Sequence, residues 1–202
     1  DLRLSRGLGD VYKRQARTRP NKVAVKEVST GRETTYGQLE ERSCRLASWL
    51  QNKGVKKGDR VAILIHNCTE VFELEFACAK IGAIELPLNW RLTKPELEYI
   101  LNDSSPEVLI YGSNFADTAK ALTTDCSIKN SLEIDDEDQN NEYEQALKEN
   151  IDFDVVETTH DDLIMLMYTS GTTGHPKGAM ITHEMQFYNI VNLAGSSRVT
   201  DK

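Results

Sequence analysis

The chain has 202 residues, 39% of them hydrophobic, with 32 acidic against 24 basic side chains and a formal net charge of −8. That is enough for one large or two small domains, and the longest apolar runs, residues 61–65 and 163–168, are far too short to span a bilayer, so no transmembrane segment is expected. No basic stripe interleaved with aromatics is present, which argues against nucleic acid as a partner.

Residues 1–15 show no clean periodicity and no apolar stretch of a signal peptide, so we expect a non-native or disordered leader ahead of the folded part. Residues 23–28 alternate as a strand, Ser29, Thr30 and Gly31 turn it, and 32–35 return. Thr35 and Gln38 fit a capping box that opens a helix to about Asn52, with Leu39, Leu46, Ala47 and Leu50 on its apolar face and Gly54 at its end. A buried strand at 60–65, a helix at 69–81 stopped by Gly82, and a strand at 83–88 follow. Thr93 and Glu96 form a second capping box, opening a helix to about Asn102. Strand 107–111, helix 114–122, strand 127–134, a short helix at 143–149 and a buried strand at 163–168 complete the series. Strands alternating with helices predict an α/β fold with a mostly parallel sheet flanked by helices.

The charge is unevenly placed. Between Leu132 and Asp162 stand thirteen acidic residues and one basic, leaving 19 acidic and 23 basic elsewhere. This tract lacks the spaced ligands and central glycine of a calcium loop, and reads as a solvated surface loop rather than a cation site or docking patch. The cysteines, Cys44, Cys68, Cys78 and Cys126, have neither C-x-x-C spacing nor clustered histidines, and read as reduced thiols of a cytoplasmic protein without a metal site.

The chemistry concentrates in residues 168–183, YTSGTTGHPKGAMITH. An apolar strand runs there into a segment of hydroxyls and glycines, closed by Lys177. Such a segment offers amides and hydroxyls to the oxygens of a polyanion, and the lysine adds a mobile positive charge. It is neither G-x-x-x-x-G-K-[ST] nor G-x-G-x-x-G. Pro176 also disfavours helical geometry at His175, so no helix starts through it.

The full string resembles the signature loop of the adenylate-forming superfamily, which includes acyl-CoA synthetases, peptide-synthetase adenylation domains and luciferases. Their core, [YF]-T-S-G-[ST]-T-G-x-P-K-G-[AV], is met at every defined position from Tyr168 to Ala179, and His183 falls where the family commonly has histidine after a short strand. The blocks TYGQLEERSCRLASWL, GDRVAILIHN and GAIELPLNWRLTKPELEYIL resemble the N-terminal part of the family's large domain, so residues 16–202 are expected to be a partial AMP-binding domain. The resemblance implies that Thr169, Ser170, Gly171, Thr172, Thr173, Gly174 and Lys177 bind the β- and γ-phosphates of ATP. It also implies Mg²⁺ accompanying ATP, and coenzyme A as co-substrate. The implied reaction is acid–CoA ligation through an acyl-adenylate. The LPLNWRLTKPELEYIL block, with Asn89 and Arg91 before the helix, looks more like acyl-CoA synthetases than peptide-synthetase domains and leans towards a fatty or related acid, with aromatic-acid ligases and peptide-synthetase adenylation as alternatives. From other classes, an atypical phosphotransferase and an interaction module built on the acidic tract remain as readings. The family's adenine pocket, magnesium-binding acid, hinge and catalytic lysine belong to later segments, so no catalytic residue is expected among these 202, and oligomeric state is left open.

Several other polar residues invite a role. His66 and Asn67 follow a buried strand but fit a turn and helix cap. Asn89, Trp90 and Arg91 fit an irregular connection before Thr93. His183 fits a structural hydrogen bond, and His160, Asp161 and Asp162 fit the surface.

Overall fold

Capping chemistry sets the helix boundaries in the computed structural model, which describes residues 14–135, 138, 140–149, 151–169 and 175–196. A hairpin of β1 (Val23–Lys26) and β2 (Glu33–Thr35) leads into helix α1 (Tyr36–Asn52). Thr35 Oγ1 accepts from the Gln38 amide at 3.3 Å, and Gln38 Oε1 accepts from the Thr35 amide at 2.9 Å. The expected box is therefore closed in both directions. Strand β3 (Arg60–Leu64) follows, then α2 (Thr69–Ile81), which ends where Gly82 adopts the left-handed conformation at φ 69°.

The start of α2 corrects one expectation. Neither His66 nor Asn67 caps it. Glu27, on the β1–β2 hairpin, accepts from the Thr69 amide at 2.9 Å and from the Thr69 hydroxyl at 2.8 Å. A carboxylate at a helix N-terminus satisfies free amides and the helix dipole together. Burial alone would raise the Glu27 pKa, but the bonds from Thr30 and Thr69 hold it below its ordinary value.

Strand β4 (Ile84–Pro87) precedes α3 (Lys94–Ser104), whose Glu96 carboxylate accepts from the Thr93 amide at 2.7 Å. Then come β5 (Val108–Gly112), a 3₁₀ turn (Ser113–Phe115) running into α4 (Ala116–Asp125), and β6 (Asn130–Ile134). The main sheet has the order β6-β5-β3-β4-β7-β8, with β7 at Leu163–Thr169 and β8 at Lys177–Thr182. Its first five strands are parallel and β8 is antiparallel to β7. The mostly parallel α/β sheet read from the sequence is what forms. Alternation within β3 shows why its run is continuously apolar. Val61 and Ile63 join Leu46 of α1 and Leu74 of α2 on one face, while Ala62 and Leu64 join Leu97 of α3 and Leu122 of α4 on the other. A strand covered on both faces has no solvent side to keep polar.

The acidic tract is only partly a solvated loop. Within it, helix α5 (Glu142–Ala146) buries Tyr143, Ala146 and the following Leu147. Arg42 of α1 grips it: Nη2 and Nη1 reach the two Glu144 oxygens at 2.6 and 3.0 Å, and Nε reaches Glu73 at 2.6 Å. The Tyr143 hydroxyl donates to the other Glu73 oxygen at 2.7 Å, so both oxygens of this buried carboxylate are partnered. Residues 151–160 then lie along the helices. Ser48 and Gln51 exchange hydrogen bonds with the backbone of Asp152 and Asp154 as a strand would, and the Val156 amide donates to the Lys80 carbonyl. The acidic side chains face water while the backbone works as a strap. Charge counting sees only the former.

Strand β7 also departs from expectation. Read as a buried strand, it buries only Ile164 fully, and Met167 is 40% exposed. Beyond it, Met180 of β8 and Met185, Phe187, Tyr188, Val191 and Leu193 of α6 (His183–Ser196) are exposed.

Candidate functional site

The pairing of β7 with β8 builds the site. Thr169, the last residue of β7, stands opposite Lys177, the first of β8, and Tyr168 stands opposite Gly178. The strands on either side of the segment therefore pair antiparallel, and Lys177 begins a strand rather than a helix, in keeping with the constraint Pro176 places on His175. Directly opposed residues of an antiparallel pair project to one face. Thr169 and Lys177 thus leave the hairpin together, both exposed, on the face opposite Tyr168. Of the candidate phosphate ligands, Ser170, Gly171, Thr172, Thr173 and Gly174 lie outside the described residues. Those described, Thr169 and Lys177, are brought into register with each other.

The base of the hairpin is tied to α3. The Tyr168 hydroxyl donates to the Asp103 carboxylate, and burial, followed by that carboxylate, pushes the Tyr168 pKa well above its usual range. On the returning side the His175 ring stacks on Tyr99, with centroids 4.7 Å apart and planes 19° from parallel. Gly178 permits the close pairing: a Cβ there would stand 2.9 Å from Leu166 Cδ1 and 3.3 Å from Tyr168 Cζ. Sequence reading placed Tyr168 and Gly178 in the signature but gave Tyr99 and Asp103 no role. Their signal is a separation of 65 residues between Asp103 and Tyr168, which no local pattern carries.

The far end of β8 is also fixed. The His183 amide donates to the Asp162 carbonyl at 3.0 Å and the Glu184 amide to the His160 carbonyl at 3.1 Å. Asp162 caps its own turn by accepting from Thr159 and pairs with Lys57 at 2.8 Å, which with the Thr159 bonds holds its pKa below the ordinary value. Read from the sequence as a surface residue, Asp162 is instead partly buried and tied into the turn that leads into β7. The His183 ring is buried, which lowers its pKa, and Nδ1 has no hydrogen-bond partner. The hydrogen bond expected of His183 is made by its backbone, not by Nδ1.

The C-terminal ends of β3, β4 and β5 carry a second cluster. The His66 ring lies edge-on to Trp90 at 4.6 Å and to Phe115 at 4.9 Å, and the Arg91 guanidinium covers the Trp90 ring at 4.1 Å. Asn89 makes the turn, its Oδ1 accepting from the Arg91 amide at 3.1 Å. Among the described residues no group of three or more His, Cys, Asp or Glu side chains is arranged to hold a metal ion. Cys44, Cys68, Cys78 and Cys126 form no disulfide. No helix of the described residues is long and apolar enough to cross a membrane.

Known proteins resemble this chain over most of its length. The profile of a family described as AMP-binding enzyme matches residues 12–201. A feruloyl-CoA synthase from an Amycolatopsis species is 40% identical over 189 residues, which cover 94% of this chain and 36% of that protein. A long-chain-fatty-acid–CoA ligase of Mycobacterium tuberculosis is 37% identical over 179 residues, covering 89% of this chain and 35% of that one. The inhibitor-bound N-terminal domain of FACL13 from Mycobacterium tuberculosis superposes with a TM-score of 0.78 at 36% identity, over 88% of this chain and 44% of that domain. The chain spans about a third of the length of the curated relatives it matches.

Proposed function

Because this chain belongs to the AMP-binding enzyme family, we propose that the whole protein is an acid–CoA ligase that works in two steps. A carboxylate oxygen attacks the α-phosphorus of ATP, the bond to the β-phosphate oxygen breaks, and pyrophosphate leaves. The thiol sulfur of coenzyme A then attacks the acyl carbon, loses its proton, and AMP departs with its phosphate oxygen. Residues 16–202 supply part of the AMP-binding domain in this reading, and the catalytic lysine lies elsewhere in the protein.

Thr169, Ser170, Gly171, Thr172, Thr173, Gly174 and Lys177 hold the β- and γ-phosphates. The observation that carries this assignment is the register of Thr169 with Lys177, which sets a hydroxyl and an ammonium side by side at the mouth of the signature segment. Hydrogen bonds to charged oxygens are worth about 1.5–3 kcal/mol each. Aimed at departing pyrophosphate, they lower the barrier by electrostatics rather than by proton transfer. Mg²⁺ carried on ATP would supply charge that offsets the phosphates, and no described residue is assigned to hold it.

A fatty acid is the substrate we favour, supported by similarity to the long-chain ligase. Similarity to the feruloyl-CoA synthase gives a hydroxycinnamate as the second reading. The test is product analysis on the full-length protein with ATP, coenzyme A and acids of graded chain length beside ferulate. We expect AMP and pyrophosphate, with the fastest turnover on an aliphatic acid. Formation of ADP would instead point to a phosphotransferase, and a preference for ferulate would move the substrate class.

A further inference from the structure

Helix α3 holds both sides of the hairpin from one face. Tyr99 and Asp103 are four residues apart, one helical turn, and so share a stripe of the helix. Asp103 takes the Tyr168 hydroxyl at the outgoing end of β7, and Tyr99 takes the His175 ring on the returning side. These contacts fall two residues before Ser170 and two residues before Lys177, so they bracket the phosphate segment. The helix itself is well fixed. Leu97, Ile100 and Leu101 are buried, and Lys94 pairs with Asp125 of α4 at 2.6 Å. On the same face Leu166 and Tyr168 also pack against the core that holds Leu97, Ile100 and Leu101, whereas Met167, Thr169 and residues 177–180 are exposed. His175 occupies the one undefined position of the signature core, so its stack on Tyr99 belongs to this chain's own residues rather than to the motif.

We propose that Tyr99 and Asp103 are positioning residues for ATP: from α3 they fix where the two arms of the hairpin leave the sheet, and so aim Thr169 and Lys177 at the phosphates. This rests on the phosphate-loop reading above. Neither residue touches ATP. Each limits the positions open to the groups that do, which lowers the entropy lost on binding.

The test is steady-state kinetics on the full-length protein. An offset ring stack contributes enough to change affinity by about two- to tenfold. We expect Tyr99→Ala to raise the KM for ATP by that factor with the KM for coenzyme A unchanged; because Tyr99 also packs against the core, its melting temperature falls, and His175→Ala, which keeps that packing, is the control. Tyr99→Phe, which keeps the ring, should restore most of the loss. His175→Ala, at an exposed position that does not threaten folding, should reproduce the Tyr99→Ala effect, and the double variant should be no worse than either single one. Asp103→Asn, which keeps an acceptor for Tyr168, should outperform Asp103→Ala. The proposal is overturned if Tyr99→Ala and His175→Ala leave the KM for ATP unchanged, if all Michaelis constants rise together, or if Tyr99→Phe is as impaired as Tyr99→Ala. Lys177→Ala separates this from the broader reading. Impairment there with normal Tyr99→Ala refutes positioning alone, whereas normal ATP kinetics in Lys177→Ala refutes the phosphate loop itself.

Discussion

Strands β3 and β7 both bring apolar runs to the same sheet, yet they are held in different ways. Strand β3 lies between two parallel neighbours, with helices on both faces, and Val61, Ala62, Ile63 and Leu64 are buried. Strand β7 has one parallel and one antiparallel neighbour, buries Ile164, and leaves Met167 at 40% exposure. Packing specifies the first region. Individual contacts specify the second: Tyr168 on Asp103, His175 on Tyr99, and the His183 amide on Asp162. The residues proposed to hold phosphate stand on the less packed side. Segments that must bind and release a ligand are drawn from the less stable parts of a fold.

Substitutions on either side, and at the seam between them, separate the two regimes. The largest effect is expected at Arg42. Removing its guanidinium leaves the buried Glu73 without its cation and frees Glu144, and breaking such a pair costs about 3–5 kcal/mol. Urea denaturation of Arg42→Ala should show that loss, with α5 released from α1. A loss below about 1 kcal/mol would mean that the α1–α5 contact is held by apolar packing alone.

Glu85, at the seam, should give a smaller, pH-dependent effect. It is 3% exposed on β4, opposite Met165 of β7, and one carboxylate oxygen has no hydrogen-bond partner. Burial, with Glu75 adding to it, raises its pKa from 4.5 to about 8. The unfolded chain ionises at the lower value, so this carboxyl's stabilising contribution is complete below about 4.5 and falls as pH rises to about 8. The unfolding free energy should therefore fall across that window by more than about 1 kcal/mol, and Glu85→Gln should flatten the slope. An unchanged slope in the variant would assign the effect to other groups.

Gly178 carries the smallest expected change, confined to the hairpin. A methyl group there must displace Leu166 or the anchored Tyr168 ring, at a cost of about 1 kcal/mol. Hydrogen exchange should quicken at residues 163–169 and 177–182 in Gly178→Ala while β3 and β5 stay protected. Uniform acceleration would contradict the separation of the two regions.

Much of the packed region was legible in the sequence because its signals are local. The Thr35–Gln38 and Thr93–Glu96 boxes, the apolar spacing of Leu39, Leu46 and Leu50, and the stop at Gly82 each lie within one element. What was not legible depends on distant partners. Glu27 capping α2, Arg42 gathering Glu73 and Glu144, and the strap at 151–160 all join residues far apart in the chain. The acidic composition of that strap conceals its backbone pairing. For the site, the signature supplied the candidate phosphate residues, and the structure adds the Thr169–Lys177 register and the contacts of Tyr99 and Asp103 with the hairpin. An apolar run such as 163–168 reads as buried whether or not its second face is covered, which is why the exposure of Met167 was not foreseen.

The most direct test of the phosphate-loop reading is acid-dependent ATP–pyrophosphate exchange by the full-length protein, with Lys177→Ala measured against the unaltered enzyme. Removing a charge aimed at developing phosphate charge should cut exchange roughly a hundredfold, with the melting temperature unchanged because Lys177 is exposed. Undiminished exchange in Lys177→Ala would contradict the assignment of this hairpin to ATP.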